Sequence, residues 1–217
     1  MFRNLNLPNK LTVLRMILVP VFILIMALTS IKGLSWLSFI ALGIYVIASV
    51  TDFVDGKIAR SNNLITDFGK VMDPLADKIL VCSGFIMLSY LSIIPGWIVA
   101  IIVARDFYVD GLRFLALMKN KVVPAYFLGK VKTFFEMVTI VFALINVSAA
   151  DSAPIFGFVE RGMSMPIFGL LINIFTSICT AGTLIVTVIS FFTYSFSLSK
   201  IITGNDSEEK SVNEVEE

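Results

Sequence analysis

The segment from residue 51 to residue 78 reads TDFVDGKIARSNNLITDFGKVMDPLADK, and it lies between long apolar runs. Asp52 and Asp55 are three positions apart, and Asp73 and Asp77 are four positions apart. On helices, both spacings place the two carboxylates of a pair on one face. A carboxylate near the bilayer centre costs about 2.5–3.5 kcal/mol, so four of them need compensation. Because hard divalent cations prefer oxygen ligands, the pattern predicts that facing carboxylate pairs bind such ions.

The composition indicates a polytopic membrane protein. Of the 217 residues, 57% are hydrophobic, and the mean hydropathy is +0.91. Soluble domains have about 45–50% apolar residues. The chain has no histidine, which excludes Ser-His and Cys-His nucleophile systems. Carboxylates must then carry out any proton transfer, or the chain performs none. We expect no nucleic-acid partner.

Six apolar stretches are long enough to cross a bilayer as helices, since a crossing takes about 20 residues. The predicted spans are 12–31, 35–59, 72–92, 94–118, 127–149 and 166–198. We therefore predict an all-α membrane protein with six transmembrane helices and a short interfacial helix over residues 1–10. Residues 1–200 are predicted to form one membrane domain. The acidic segment 201–217 is predicted to be a disordered tail.

Basic residues indicate the orientation. On one side of the six-span arrangement lie Arg3, Lys10, Lys57, Arg60, Lys70, Lys119, Lys121 and Lys200. The positive-inside rule then places both termini and the four aspartates at the cytoplasmic side. A short connection makes the second and third spans antiparallel neighbours, which brings the two aspartate pairs together.

Residues beside the aspartates suit a phosphorylated ligand with a ring. Gly56 and Ala59 leave room for a flat group near the helix backbone. Arg60 offers a forked donor to phosphate, and Gly69 allows close packing at the start of the third span. Together with divalent ions, these residues favour phosphoryl transfer, in which positioning and charge neutralisation dominate.

The complete pattern, Asp52-x2-Asp55-Gly56-x2-Ala59-Arg60-x8-Gly69-x3-Asp73-x3-Asp77, resembles the signature of the CDP-alcohol phosphatidyltransferases at all eight positions. The wider resemblance covers about residues 5–140, and the last helix is similar only in its hydrophobic pattern. It implies a six-helix fold that dimerises. It also implies transfer of the phosphatidyl group from CDP-diacylglycerol to an alcohol, with release of CMP.

The resemblance assigns roles to individual residues. It implies that Asp52, Asp55, Asp73 and Asp77 hold two Mg²⁺ or Mn²⁺ ions and that Asp77 takes the proton of the acceptor hydroxyl. Gly56 and Ala59 would contact the cytidine and Arg60 the pyrophosphate. The residues assigned to CDP-diacylglycerol are Asn9, Thr12, Gly56, Ala59, Arg60, Thr66 and Gly69.

Flanking segments indicate the acceptor. Residues 6–15, 73–78, 111–113 and 129–133 resemble bacterial phosphatidylglycerophosphate synthases, whose acceptor is sn-glycerol 3-phosphate. Candidate cations for this dianion are Arg105, Arg113, Lys130 and Lys132. The resemblance also implies a bacterial inner-membrane location, with membrane lipids as neighbours. Asp106, where Glu is expected, would pair with a nearby cation, and Glu136 would partner Lys132 at i,i+4.

Several alternatives stay open. Cardiolipin synthases share the string from Asp73 to Lys78 but use phosphatidylglycerol as the acceptor. An ion-coupled transporter would also contain intramembrane acids, although spread through the membrane depth rather than gathered at one side. Lys130 and Lys132 lie near a predicted boundary where lysines snorkel. Arg105, Asp106 and Asp110 would also fit a simple salt-bridge cluster.

Overall fold

The computed structural model describes residues 7–31, 34, 36–61, 67–118, 127–149 and 167–213. Within these ranges every regular secondary-structure element is an α-helix, which confirms the predicted all-α class. The helices are α1 Leu7–Leu28, α2 Leu37–Ser61, α3 Asp67–Tyr90, α4 Gly96–Met118, α5 Phe127–Ala149 and α6 Ile167–Asn213.

The amino end differs from the prediction of a separate interfacial helix over residues 1–10. Residues 7–10 are continuous with α1, and residues 1–6 lie outside the described residues. Pro8 occupies the second position of α1, where a missing N–H costs nothing because the first helical N–H groups have no partner within the helix. The helix can therefore begin before the apolar run.

The carboxyl end also differs from the prediction. Helix α6 has 47 residues and continues to Asn213, through most of the segment 201–217 that was predicted to be disordered. Helix propagation costs far less than nucleation, and Glu208, Glu209 and Lys210 are good helix formers. The acidic segment thus continues an existing helix up to Asn213. Residues 214–217 lie outside the described residues.

Two of the described helices are both long and apolar enough to cross a membrane by composition alone. Their windows are Leu11–Leu28 and Ile167–Phe196, and α2 contains a shorter apolar run, Leu37–Thr51. The other helices are long enough, with 23 or more residues each, but α3, α4 and α5 contain several charged side chains. These charges explain why composition alone does not mark them, and several of them form the candidate site.

The interior is one large apolar cluster with contributions from α1 to α5. Phe22, Tyr45, Phe85 and Leu144 are among its fully buried members. Helix α1 packs on α2 and α3, whereas α6 packs on α5 and α4. The smaller cluster of Val109, Ala116 and Tyr194 joins α4 to α6.

The turn between α3 and α4 sets these two helices side by side. Ser92 has φ of 58°, a left-handed conformation that ends α3. The amide of Ile93 donates to the carbonyl of Leu88 at 2.9 Å, and α4 begins at Gly96. The chain therefore reverses within a few residues. As a result, the two helices run antiparallel, and residues 77–81 of α3 and 105–113 of α4 line the candidate site together.

Candidate active site

A polar cavity of about 260 Å³ lies between α3, α4, α5 and α6. Its lining residues are Asp77, Lys78 and Val81 of α3, Arg105, Asp106, Val109, Asp110 and Arg113 of α4, Gly129, Lys132, Thr133 and Glu136 of α5, and Tyr194 of α6. The cavity thus brings the aspartate predicted to be the base together with three of the four predicted acceptor-binding cations.

A buried ion-pair network forms one wall of the cavity. One carboxylate oxygen of Asp106 accepts from Arg105 Nη1 at 3.0 Å and from the ammonium of Lys132. Lys132 Nζ also lies 2.5 Å from Glu136 Oε1. The pairing of Asp106 with a cation and the i,i+4 pairing of Glu136 with Lys132 are confirmed. Because Lys132 and Glu136 are almost fully buried, each charge depends on the other for compensation.

A second, partly exposed ion pair also lines the cavity. Lys78 of α3 pairs with Asp110 of α4, and both side chains are partly exposed. Arg105 meanwhile donates through Nη2 to the hydroxyl of Ser190 on α6. Arg105, Asp106 and Asp110 therefore all take part in salt bridges, as one of the sequence-based alternatives predicted. Ion pairing does not conflict with ligand binding, since a guanidinium has five N–H donors.

Arg113 differs from the other cations that line the cavity. Its Nη2 donates to the hydroxyl of Tyr194 at 2.6 Å, and in the described part of the chain it makes no ion pair with a carboxylate. Among the described residues, the guanidinium of Arg113 is therefore not engaged in an ion pair with a carboxylate. Arg113 is therefore the cation in this cavity best placed to bind an anion.

Asp73 is fixed by a contact between α1 and α3. The hydroxyl of Thr12, which is buried, donates to Asp73 Oδ1 at 2.5 Å. Asp73 and Asp77 lie on consecutive turns of α3, as their spacing predicted. The sequence assigned Thr12 to the nucleotide and Asp73 to a metal ion, and the structure joins the two residues directly.

Other predicted site residues lie outside the described side chains. Positions 52, 55, 56, 59 and 60 fall in the carboxyl end of α2, while positions 9, 69 and 130 fall in the first turns of α1, α3 and α5. Thr66 lies wholly outside the described residues. Among the side chains that are described, no three potential ligands form a metal-binding group. The facing of the two aspartate pairs therefore stays a prediction.

The sequence did not point to the residues that α6 contributes, Ser190 and Tyr194. The sequence does contain a periodic pattern that includes both residues. In the apolar part of α6, six buried side chains that carry hydroxyl groups recur every three or four residues, at Thr176, Thr180, Thr183, Thr187, Ser190 and Tyr194. Such a stripe marks a helix face turned toward protein rather than lipid.

Comparison with known proteins identifies the family. A family model described as CDP-alcohol phosphatidyltransferase matches residues 5–189. The chain belongs to this family. The match extends well beyond residue 140, where the sequence resemblance was expected to end, and includes much of α6. Family membership decides in favour of a transferase rather than an ion-coupled transporter.

Several curated proteins are similar to this chain. A Bacillus subtilis protein named CDP-diacylglycerol–glycerol-3-phosphate 3-phosphatidyltransferase is 40% identical over 147 residues, which cover 62% of this chain and 74% of its own length. Proteins with the same name from Rickettsia bellii and Escherichia coli are 46% and 36% identical. Their alignments cover 61% and 64% of this chain, and 71% and 76% of the relatives.

Proposed function

We propose that this protein transfers the phosphatidyl group from CDP-diacylglycerol to sn-glycerol 3-phosphate, giving phosphatidylglycerophosphate and CMP. The proposal depends on one observation, which is that Asp77 lines the same cavity as Arg105, Arg113 and Lys132. Both substrates appear in the names of the three relatives described above. The signature from Asp52 to Asp77 supports the donor substrate.

The charge and size of the cavity support a small anionic acceptor. A phosphate dianion attracts guanidinium groups, which donate two parallel hydrogen bonds to its oxygens. Arg113 supplies a charge that no described carboxylate neutralises, and Arg105 and Lys132 supply further donors. A volume of about 260 Å³ lies below the ~300–1,000 Å³ of pockets for drug-sized ligands, so it suits a molecule as small as glycerol 3-phosphate.

Asp77 is the proposed general base. In the reaction, the acceptor hydroxyl oxygen forms a bond to the phosphorus that carries the diacylglycerol. The bond from that phosphorus to the bridging oxygen breaks, and CMP leaves with the electron pair. The hydroxyl proton passes to a carboxylate oxygen of Asp77, which lines the cavity where the acceptor would lie. The cations bind the phosphate at one end of the acceptor and thereby orient the hydroxyl at its other end toward Asp77.

Two divalent ions, Mg²⁺ or Mn²⁺, are proposed as cofactors held by Asp52, Asp55, Asp73 and Asp77. The described part of this set fits, because Asp73 and Asp77 place oxygen ligands on consecutive turns and Thr12 orients Asp73. When bound, such ions neutralise charge on the phosphates and stabilise the leaving group. Thr12 is thus proposed to act on the carboxylate as well as on the nucleotide.

The donor site is proposed to lie beside this carboxylate set. Its residues are Asn9, Thr12, Gly56, Ala59, Arg60, Thr66 and Gly69, and Lys130 is a further proposed contact of the acceptor. Thr12 packs α1 against α3 at Asp73. This contact supports a nucleotide site that includes the first turns of α1.

All six helices are proposed to cross the membrane, with both termini and the site at the cytoplasmic side of a bacterial inner membrane. The cavity draws on residues 77–81 in the middle of α3, on residues 105–113 in the middle and carboxyl half of α4, and on residues 129–136 in the amino half of α5. Helices joined by a short connection, as α3 and α4 are, lie antiparallel in such an up-and-down bundle. A single domain over residues 1–200 and a homodimer are proposed from the family resemblance.

The test is release of CMP by the purified protein in detergent. With CDP-diacylglycerol present, we expect release only when both sn-glycerol 3-phosphate and Mg²⁺ or Mn²⁺ are added, and chelation should stop it. Phosphatidylglycerol in place of glycerol 3-phosphate should give no release. The opposite acceptor preference would identify a cardiolipin synthase, and no release with either acceptor would contradict the proposal.

A further inference from the structure

Tyr194 lies close to both arginines of the polar cavity. Its ring centroid is 4.9 Å from the guanidinium carbon of Arg113 and 5.4 Å from that of Arg105. Both distances fall within the ~6 Å range of cation–π attraction. The side chain of Tyr194 is fully buried, and its hydroxyl accepts the hydrogen bond from Arg113. One aromatic ring therefore contacts both guanidinium groups.

Gly129 makes room for the hydroxyl of Tyr194. A Cβ atom added at residue 129 would lie 3.0 Å from the Tyr194 oxygen, which is tighter than an ordinary contact. The nearest ring carbons would be 3.9 and 4.0 Å away, which is normal van der Waals distance. The phenol oxygen therefore requires the absence of a Cβ atom at residue 129, whereas the ring does not. A substitution at Gly129 can therefore test the contact between α5 and α6 through the phenol oxygen alone.

We propose that Tyr194 is a positioning residue that orients Arg113 and Arg105 toward the phosphate of the acceptor. This inference rests on the proposed function and adds a residue beyond the matched family region, which ends at residue 189. A free arginine side chain must lose rotamer freedom when it binds an anion. Because the ring and hydroxyl already restrain the guanidinium groups, less ordering is left for the binding step.

The proposal predicts a selective loss of acceptor binding when the hydroxyl is removed. Tyr194→Phe keeps the ring but loses the hydrogen bond, and should raise the KM for glycerol 3-phosphate about tenfold. The KM for CDP-diacylglycerol and the kcat should stay within about twofold. Tyr194→Leu removes the ring as well and should raise the acceptor KM further. A role confined to folding would instead lower thermal stability without this split.

Gly129→Ala separates positioning from general destabilisation. In the unaltered background the added methyl group should displace the phenol oxygen and raise the acceptor KM about fivefold. In the Tyr194→Phe background the oxygen is absent, so the same change should alter KM by less than about twofold. Equal effects of Gly129→Ala in both backgrounds would overturn the proposal.

Tyr108→Phe is the matched control. The hydroxyl of Tyr108 on α4 lies 3.2 Å from the hydroxyl of Ser195 on α6, and Tyr108 is not among the residues that line the polar cavity. This change also breaks a contact between α4 and α6 but should leave the acceptor KM unchanged. If the unaltered protein releases CMP with glycerol 3-phosphate while Tyr194→Phe has a normal acceptor KM, this inference fails and the proposed function stands. Absence of acceptor-dependent release from the unaltered protein would remove the proposed function itself.

Discussion

Replacing Arg113 by glutamine should weaken acceptor binding without unfolding the protein. In the described part of the chain, the hydrogen-bond partner of Arg113 is the neutral hydroxyl of Tyr194. The substitution therefore leaves no described carboxylate without its cation. Lys132 provides the contrast, because its loss would strand the buried carboxylate of Glu136. Arg113 is thus the cation whose removal reports most cleanly on the ligand.

The size of the effect follows from the bond that is lost. A hydrogen bond to a charged group contributes about 1.5–3 kcal/mol, which corresponds to a rise of about 10- to 150-fold in the KM for glycerol 3-phosphate. Arg113→Lys keeps the charge but loses the forked geometry, so its KM should fall between those of the unaltered protein and Arg113→Gln. The KM for CDP-diacylglycerol should stay within about twofold in both variants.

The assay is CMP release at saturating CDP-diacylglycerol with varied glycerol 3-phosphate. Thermal unfolding of each variant in the same detergent reports whether the fold is intact. An unchanged acceptor KM in a folded Arg113→Gln protein would refute the assignment of this cavity to the acceptor. An equal rise in both KM values would show that Arg113 does not discriminate between the substrates.

Three further substitutions test other parts of the site. Asp77→Asn should lower kcat about 10²- to 10⁴-fold in the CMP-release assay, and near-normal turnover would exclude Asp77 as the base. Thr12→Val removes the hydrogen bond to Asp73 and should raise the Mg²⁺ concentration for half-maximal activity about 10- to 100-fold, whereas an unchanged Mg²⁺ titration would argue against metal binding at Asp73. Lys132→Met should cost about 3–5 kcal/mol of stability by leaving Glu136 unpaired, and an unchanged melting temperature in detergent would contradict the ion-pair network.

Much of the helical architecture could be predicted from the sequence. Apolar runs of about 20 residues specify bilayer-length helices, and α5 has the bounds that were predicted for it. The ends were less predictable, because apolar periodicity does not reveal where a polar segment joins a helix. The extension of α6 to Asn213 and the start of α1 at Leu7 illustrate this limit.

The candidate site was predictable where its contacts are local. The pairing of Lys132 with Glu136 follows from i,i+4 spacing on one helix. The pairing of Asp106 with a cation was expected, but its partner on α5 depends on how α4 packs against α5. The contact of Arg113 with Tyr194 joins residues 81 positions apart, so it depends on tertiary packing.

The most direct test of the acceptor site is an experimental structure of the protein with sn-glycerol 3-phosphate and Mg²⁺ bound. We predict that the phosphate lies within hydrogen-bonding distance of the Arg113 guanidinium and that a hydroxyl of the glycerol lies beside the carboxylate of Asp77. A phosphate bound elsewhere, with the cavity between α3, α4, α5 and α6 empty, would contradict the assignment.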